Sequence, residues 1–207
     1  MDRPMGQILQ DQEFTGADFD QAAFEDARFR RCRFIRCSFR GAQLNDCQSI
    51  GSLFEQCDFT GANLSGSRHE RSSFANSRFT YAHLFSINFV ECKLTGATFE
   101  EAATAGWSIA GGDWSMTNLR GHSLKGLDLR GIKLTEADLY GCNLEKADLR
   151  AADLARAQLG QAKLKGADLR GANLEGLDWK GIDLLGVKID LGQAVALARS
   201  YGALVLE

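Results

Sequence analysis

Ser49 and His69 lie 20 residues apart, and a serine beside a histidine is the pairing a hydrolase uses as nucleophile and base. Such a site also needs a third group to orient the imidazole. The residues one further step of 20 away are Phe29 and Phe89, so no carboxylate shares the column. A satisfied buried polar pair, or a local bulge, is therefore favoured over a catalytic dyad. His83 is expected to face outward, and His122 falls elsewhere, so no catalytic site emerges and the chain reads as a non-enzyme. The six cysteines, Cys32, Cys37, Cys47, Cys57, Cys92 and Cys142, show no CxxC spacing, so neither a metal nor another cofactor is expected. Cys37 and Cys57 are one step of 20 apart, which leaves a disulfide open, although a cytoplasmic chain favours free thiols. Charge offers two more candidates. Arg28, Arg30, Arg31, Arg33, Arg36 and Arg40 fall within 13 residues without an intervening acid. Such a patch suits an acidic partner or nucleic acid, or equally a solubilising edge. Asp128, Asp148 and Asp168 recur with Arg130, Arg150 and Arg170, which reads as two adjacent, largely self-neutralising ladders.

All of these residues owe their places to one period. From Phe14 in steps of five to Ile189 there are 36 positions, of which 33 are Phe, Leu, Ile or Trp; the exceptions are Ser49, His69 and Thr104. Two residues before each lies a second register in which 27 of 36 are Ala, Cys, Ser, Thr or Gly, and all six cysteines belong to it. That membership gives the cysteines a structural role as small buried side chains. Period five fits neither a helix nor a flat strand. A chain that turns a corner every five residues would point each central residue inward, and four sides close a 20-residue coil. The repeats at 128, 148 and 168 support that interval. Nine coils at the interstrand spacing would make a rod of about 43 Å.

Composition agrees. One proline, Pro4, stands against 22 glycines, so the chain turns often and in one uniform way. The net charge of −3 argues against a general nucleic-acid binder. No apolar run approaches the roughly 20 residues of a membrane span. The N-terminus lacks signal-peptide character, so a soluble, cytoplasmic protein is expected. The organisation read from the pattern is a lead-in over 1–13, a solenoid over 14–190, and a distinct segment over 191–207. In the last, Asp190 and Gln193 read as a capping box, 191–200 as a helix, Gly202 as its stop and 203–206 as a strand. Apolar Leu191, Val195, Leu197, Ala198, Leu204 and Leu206 favour self-association into a dimer about 80–100 Å long. The weakest repeats are 100–117. There Trp107, Gly111, Gly112 and Asp113 mark either an outward loop or a coil distorted around a bulky ring.

The A(D/N)LXX pattern over residues 14 to 190 resembles the pentapeptide-repeat family, which implies an all-β fold, a right-handed quadrilateral β-helix. Residues 181–190 and 193–202, together with the stretch from Ser67 to Phe74, resemble MfpA-type and Qnr-type members. That resemblance implies a homodimer joined through its C-terminus and a DNA-mimicking rod. It would bind DNA gyrase or topoisomerase IV, modulating the enzyme and protecting it from quinolone-like poisons, with no direct nucleic-acid or membrane binding. The unbroken register is closer to MfpA-type members, which lack the outward loops of Qnr-type ones. DNA mimicry asks for acidic surface, yet residues 1–100 carry 11 basic and 13 acidic groups. The expected acidic strip is therefore local, and its candidates are Asp148, Asp168, Asp178 and Asp183. The alternative is a structural or adaptor protein with an unrelated partner, working through the Arg28–Arg40 patch.

Overall fold

The computed structural model describes residues 6–206; residues 1–5 of the expected lead-in and Glu207 of the tail lie outside the described residues. The elements are β1 (Ile8–Gln10), β2 (Glu13–Thr15), β3 (Arg28–Arg30), β4 (Arg33–Ile35), β5 (Gln48–Ile50), β6 (Leu53–Glu55), β7 (Arg68–Glu70), β8 (Asn88–Val90), β9 (Ser108–Ala110) and α1 (Leu191–Ser200). The chain divides into two compact units, one ending at Asn118 and one beginning at Leu119.

The first unit is a four-sided β-helix in which every pairing is parallel and advances by 20 residues. Face A is a six-stranded sheet, β1-β3-β5-β7-β8-β9, and face B a three-stranded one, β2-β4-β6. Faces C and D are held by single bridges, such as Asp18 to Ser38 to Asp58 to Arg78 on C and Gln43 to Asn63 to His83 on D. The corner chemistry explains the glycine-rich, proline-poor composition. The residue two after each central one has positive φ, as at Gly16 (63°), Arg31 (52°), Asp46 (59°) and Tyr81 (57°). Glycine adopts this left-handed conformation freely, while other residues there do so at a cost that coil stacking must offset.

Large central residues meet on the axis. On face B, Phe14, Phe34, Phe54 and Phe74 stack ring on ring at 4.9–5.1 Å. On face C the ladder Phe19, Phe39, Phe59, Phe79, Phe99 repeats at 4.9–5.1 Å. The ring spacing is the rise of one coil, so backbone pairing and aromatic packing are satisfied together. Each buried Phe or Leu contributes about 1.5–3 kcal/mol in gross terms.

The coil at 100–118 keeps the same ladder, with Ser108 to Ala110 against Asn88 to Val90 and Asp113 against Lys93. The residues singled out as a loop or distorted coil therefore run in register, and the irregularity is one of size and corner. A small central residue, Thr104, precedes the bulky Trp107, which is buried edge-on to Phe99 (5.9 Å) and Trp114 (6.2 Å). Volume is exchanged between neighbouring positions rather than added. Gly111 and Gly112 are both left-handed (φ 67° and 93°), and a Cβ on Gly112 would lie 2.1 Å from the Cys92 carbonyl oxygen.

The second unit repeats the scheme with bridges Ser123 to Asn143 to Lys163 to Asp183 and Asp128 to Asp148 to Asp168 to Lys188. Its last coil is covered by α1. Asp190 caps the helix, and the capping box with Gln193 is complete. Gly202 (φ 85°) ends it, its N–H donating to Arg199 O while that of Ala203 donates to Ala198 O. Residues 203–206 form no strand, contrary to the sequence expectation. A strand needs an edge to pair with, and the single chain brings none to this segment.

Candidate functional site

Ser49 and His69 face each other across neighbouring strands of face A. Ser49 Oγ lies 2.7 Å from His69 Nδ1, and Ser67 Oγ lies 3.0 Å from His69 Nε2. Ser67 already donates to Leu64 O at 2.7 Å, so it accepts from Nε2–H, and Nδ1 accepts the Ser49 hydroxyl proton. Ser49 Oγ also lies 2.9 Å from Ser72 Oγ, so its one proton is shared between His69 Nδ1 and Ser72, whose own hydroxyl donates to Glu70 O. The imidazole is 1% exposed and stacks on Phe89 at 5.5 Å. Burial without a counter-charge pushes its pKa down to about 3. Both ring nitrogens are occupied by serines inside a closed core, and no substrate can reach them.

Cysteines and serines share two columns, Cys32, Ser52, Ser72, Cys92 and Cys37, Cys57, Ser77, for a common reason. At most corners the small residue's N–H donates three residues back, as from Ala42 to Phe39 O. At 32, 52 and 57 it donates instead to the hydroxyl one coil on. Cys32 N–H binds Ser52 Oγ (3.1 Å), Ser52 N–H binds Ser72 Oγ (3.2 Å), and Cys57 N–H binds Ser77 Oγ (3.0 Å). Alanine cannot accept these bonds, and Ser or Cys can. Burial pushes the Cys57 thiol up to about 12 and Cys92 up to about 11, and all six cysteines are free. Among the described residues no three His, Cys, Asp or Glu are placed to hold a metal ion.

The four carboxylates expected as an acidic strip are not brought together. Asp148 and Asp168 share one ladder, Asp183 follows Lys163 on a second, and Asp178 stands 20 residues after Gln158, which pairs with Asp138 on a third. Asp148 is held at two points by Arg150 (2.9 and 2.7 Å), and Asp168 likewise by Arg170. The Arg170 guanidinium holds the Asp168 carboxyl down at about 2. These acids are ionised but neutralised by a neighbour, whereas Asp178 and Asp183 accept backbone N–H groups of their own turns.

Negative charge collects in the first unit instead. Faces C and D with their corners carry Asp18, Asp20, Glu25, Asp26, Asp46, Asp58, Glu100 and Glu101 against only Arg40 and Arg78. Faces A and B carry eight Lys and Arg against six acids. The near-balance of 11 basic and 13 acidic groups over residues 1–100 averages this asymmetry away. The arginine patch is divided: Arg28, Arg30 and Arg31 belong to face A, Arg33 and Arg36 to B, and Arg40 to C. Arg31 pairs with Asp11 (2.7 Å), Arg33 with Glu13 (3.7 Å) and Arg40 with Asp58 (3.4 Å).

At the chain end, Gln193 Nε2 donates to Leu169 O (2.6 Å) and Ala172 O (2.9 Å), and Tyr201 Oη donates to Trp179 O (3.1 Å). These bonds seat α1 on the last coil. Val195, Leu197 and Ala198 are half-buried by that seating, while Leu191, Leu204 and Leu206 are 82%, 92% and 87% exposed.

Two family models match. One, described as pentapeptide repeat region, covers residues 7–84, and one, described as pentapeptide repeats, covers 115–150 and 152–188. A search of curated protein sequences matched none. Among solved structures, three of QnrB1, a plasmid-mediated fluoroquinolone resistance protein, are similar in fold. A trypsin-treated variant matches with a TM-score of 0.83 at 24% identity, covering 97% of this chain and 100% of that one. A second treated variant gives 0.80 at 23% identity over 95% and 99%. The full-length protein gives 0.71 at 22% identity over 95% and 100%.

Proposed function

The chain belongs to the pentapeptide-repeat family, and we propose that it is a non-enzymatic, DNA-mimicking protein that binds a type II topoisomerase, DNA gyrase or topoisomerase IV. By occupying that enzyme's DNA-binding surface it would modulate turnover and protect against quinolone-like poisons. The observation that carries this reading is the one-sided charge of the first unit, with eight carboxylates against two guanidiniums on two adjacent faces of a regular β-helix. A DNA-binding saddle is cationic, and its attraction to such a side is long-ranged and salt-dependent. The fold likeness to QnrB1 supports the same direction. The protein would act in the cytoplasm as a homodimer, with a second copy covering Leu191, Leu204 and Leu206 and offering an edge to 203–206.

Titrating purified protein into a gyrase supercoiling and cleavage assay, with and without a fluoroquinolone, tests the reading. Inhibition of supercoiling or rescue from the drug is expected. Glu25→Lys with Glu101→Lys should raise the protein concentration needed by about tenfold or more, while Arg28→Glu with Arg30→Glu on the opposite side should change it little. If the arginine variant alone loses the effect, an adaptor working through the basic face is the better account.

A further inference from the structure

On face D of the first unit, three ring-bearing side chains stand out of an otherwise low surface. Tyr81 at the corner between C and D is 63% exposed, His83 is exposed, and Phe85 is 44% exposed. The His83 and Phe85 rings are 6.1 Å apart. One coil before them the face is recessed into an open groove of about 320 Å³ lined by Gln43, Gly61, Asn63, Ser65 and His83. One coil after, the face carries only Ala103, Ala105 and Gly106. The rings therefore form a ridge one coil high with a step down on either side. Neither lysine nor arginine occupies an outward position of face D between Ala23 and Gly106. Acids flank the ridge: Glu100 and Glu101 lie one coil beyond it beside the Tyr81 corner, where Tyr81 N–H donates to Glu100 O (3.0 Å). Asp46 lies two coils before it, and Arg78 stands on face C of the same coil.

Exposed tyrosine and phenylalanine are not needed by the β-helix, whose apolar requirement is met on the axis. Rings flanked by carboxylates, on a face that itself carries no cation, match a guanidinium: its flat face stacks on the ring while its edge donates to an acid. Aromatic anchors of this kind concentrate binding energy in otherwise polar interfaces. We infer that the Tyr81–His83–Phe85 ridge is a docking site for arginine side chains of a partner protein's cationic surface. It is the specific centre of the acidic side, and the surrounding carboxylates steer the partner to it. The identity of the partner rests on the topoisomerase reading above, whereas arginine recognition at the ridge does not.

The test therefore needs no topoisomerase. Nona-arginine and nona-lysine peptides are titrated into the isotopically labelled full chain, followed by NMR, for the wild type and for Tyr81→Ala with Phe85→Ala. With nona-arginine, the largest shifts are expected at 81–86 and 100–101. A guanidinium over a ring contributes about two- to thirtyfold in affinity, so the double variant should bind nona-arginine on the order of tenfold more weakly. Its affinity for nona-lysine should fall much less. Shifts centred on Asp18, Asp20 and Asp58, or a double variant that binds both peptides as the wild type does, would overturn the assignment. In the supercoiling assay, an active wild type with an equally active double variant would sink the ridge and spare the topoisomerase reading. An inactive wild type beside intact, ridge-centred peptide binding would do the reverse.

Discussion

His69 makes a measurable claim about stability and pH. In the folded protein its pKa is pushed down to about 3 by burial, against an ordinary value of 6.5. The unfolded chain therefore takes up a proton below pH 6.5 that the folded chain refuses, so stability falls as the pH drops from 6.5 toward 3 and is flat above 7. At pH 5 the loss is about 2 kcal/mol, and by pH 4 about 3 kcal/mol. The carboxylates held low by arginines, such as Asp148 and Asp168, lose their contribution only below about pH 4, so the window from 6.5 to 5 isolates the histidine. Urea denaturation at pH 7 and pH 5 gives the difference directly. In His69→Phe the ring would still stack on Phe89, Ser67 keeps Leu64 O and Ser49 keeps Ser72, so the fold is expected to persist and about 2 kcal/mol of pH sensitivity to vanish. NMR of the histidine side chains adds a second readout, in which the His69 ring should not titrate down to pH 4. A His69→Phe variant that loses as much stability between pH 7 and 5 as the wild type would refute the buried, neutral imidazole.

Ser52→Ala removes the acceptor of the buried Cys32 N–H and should cost about 1–3 kcal/mol in urea denaturation, with no such cost for Ser65→Ala on the surface of face D. Gly112→Ala forces a Cβ against Cys92 O and should unfold the coil or cost several kcal/mol, while Gly121→Ala, with nothing within 4 Å, should cost only about 1 kcal/mol, read from the same curves. Gln193→Ala deletes two bonds to the last coil and half of the capping box. Hydrogen exchange over 191–200 should accelerate while the exchange of the first unit is unchanged. Leu204→Asp, at a position 92% exposed in the single chain, should leave the fold intact and convert a dimer to a monomer in sedimentation.

The fold was legible because period five is unusually strict. A residue's place modulo five tells whether it points in, and the capping pair Asp190 and Gln193 and the stop at Gly202 follow local rules that need no tertiary context. Place modulo twenty tells which face a residue occupies, and there the reading fell short. Asp148 and Asp168 share a ladder because they are 20 apart; Asp178 and Asp183 stand on others because they are 10 and 15 beyond Asp168. The thirteen residues from Arg28 to Arg40 span more than half a coil, so a run in sequence became three small groups in space. Applied to the first unit, the same arithmetic would have found the acidic faces. The Ser and Cys column at 32, 52, 72 and 92 carried a signal that composition alone hides, since the need for an acceptor appears only once the corner's own hydrogen bond is absent. The tail at 203–206 looked like a strand from its residue types, but propensity does not supply a pairing edge.

The central claim, that the acidic side of the first unit occupies a DNA-binding surface of a type II topoisomerase, is tested most directly by competition. Gyrase is immobilised, this protein is bound, and duplex DNA is titrated in at two salt concentrations. The account predicts mutually exclusive binding that weakens with salt and that is lost in Glu25→Lys with Glu101→Lys but retained in Arg28→Glu with Arg30→Glu. Simultaneous binding of protein and DNA, or equal binding by the lysine variant, would contradict it.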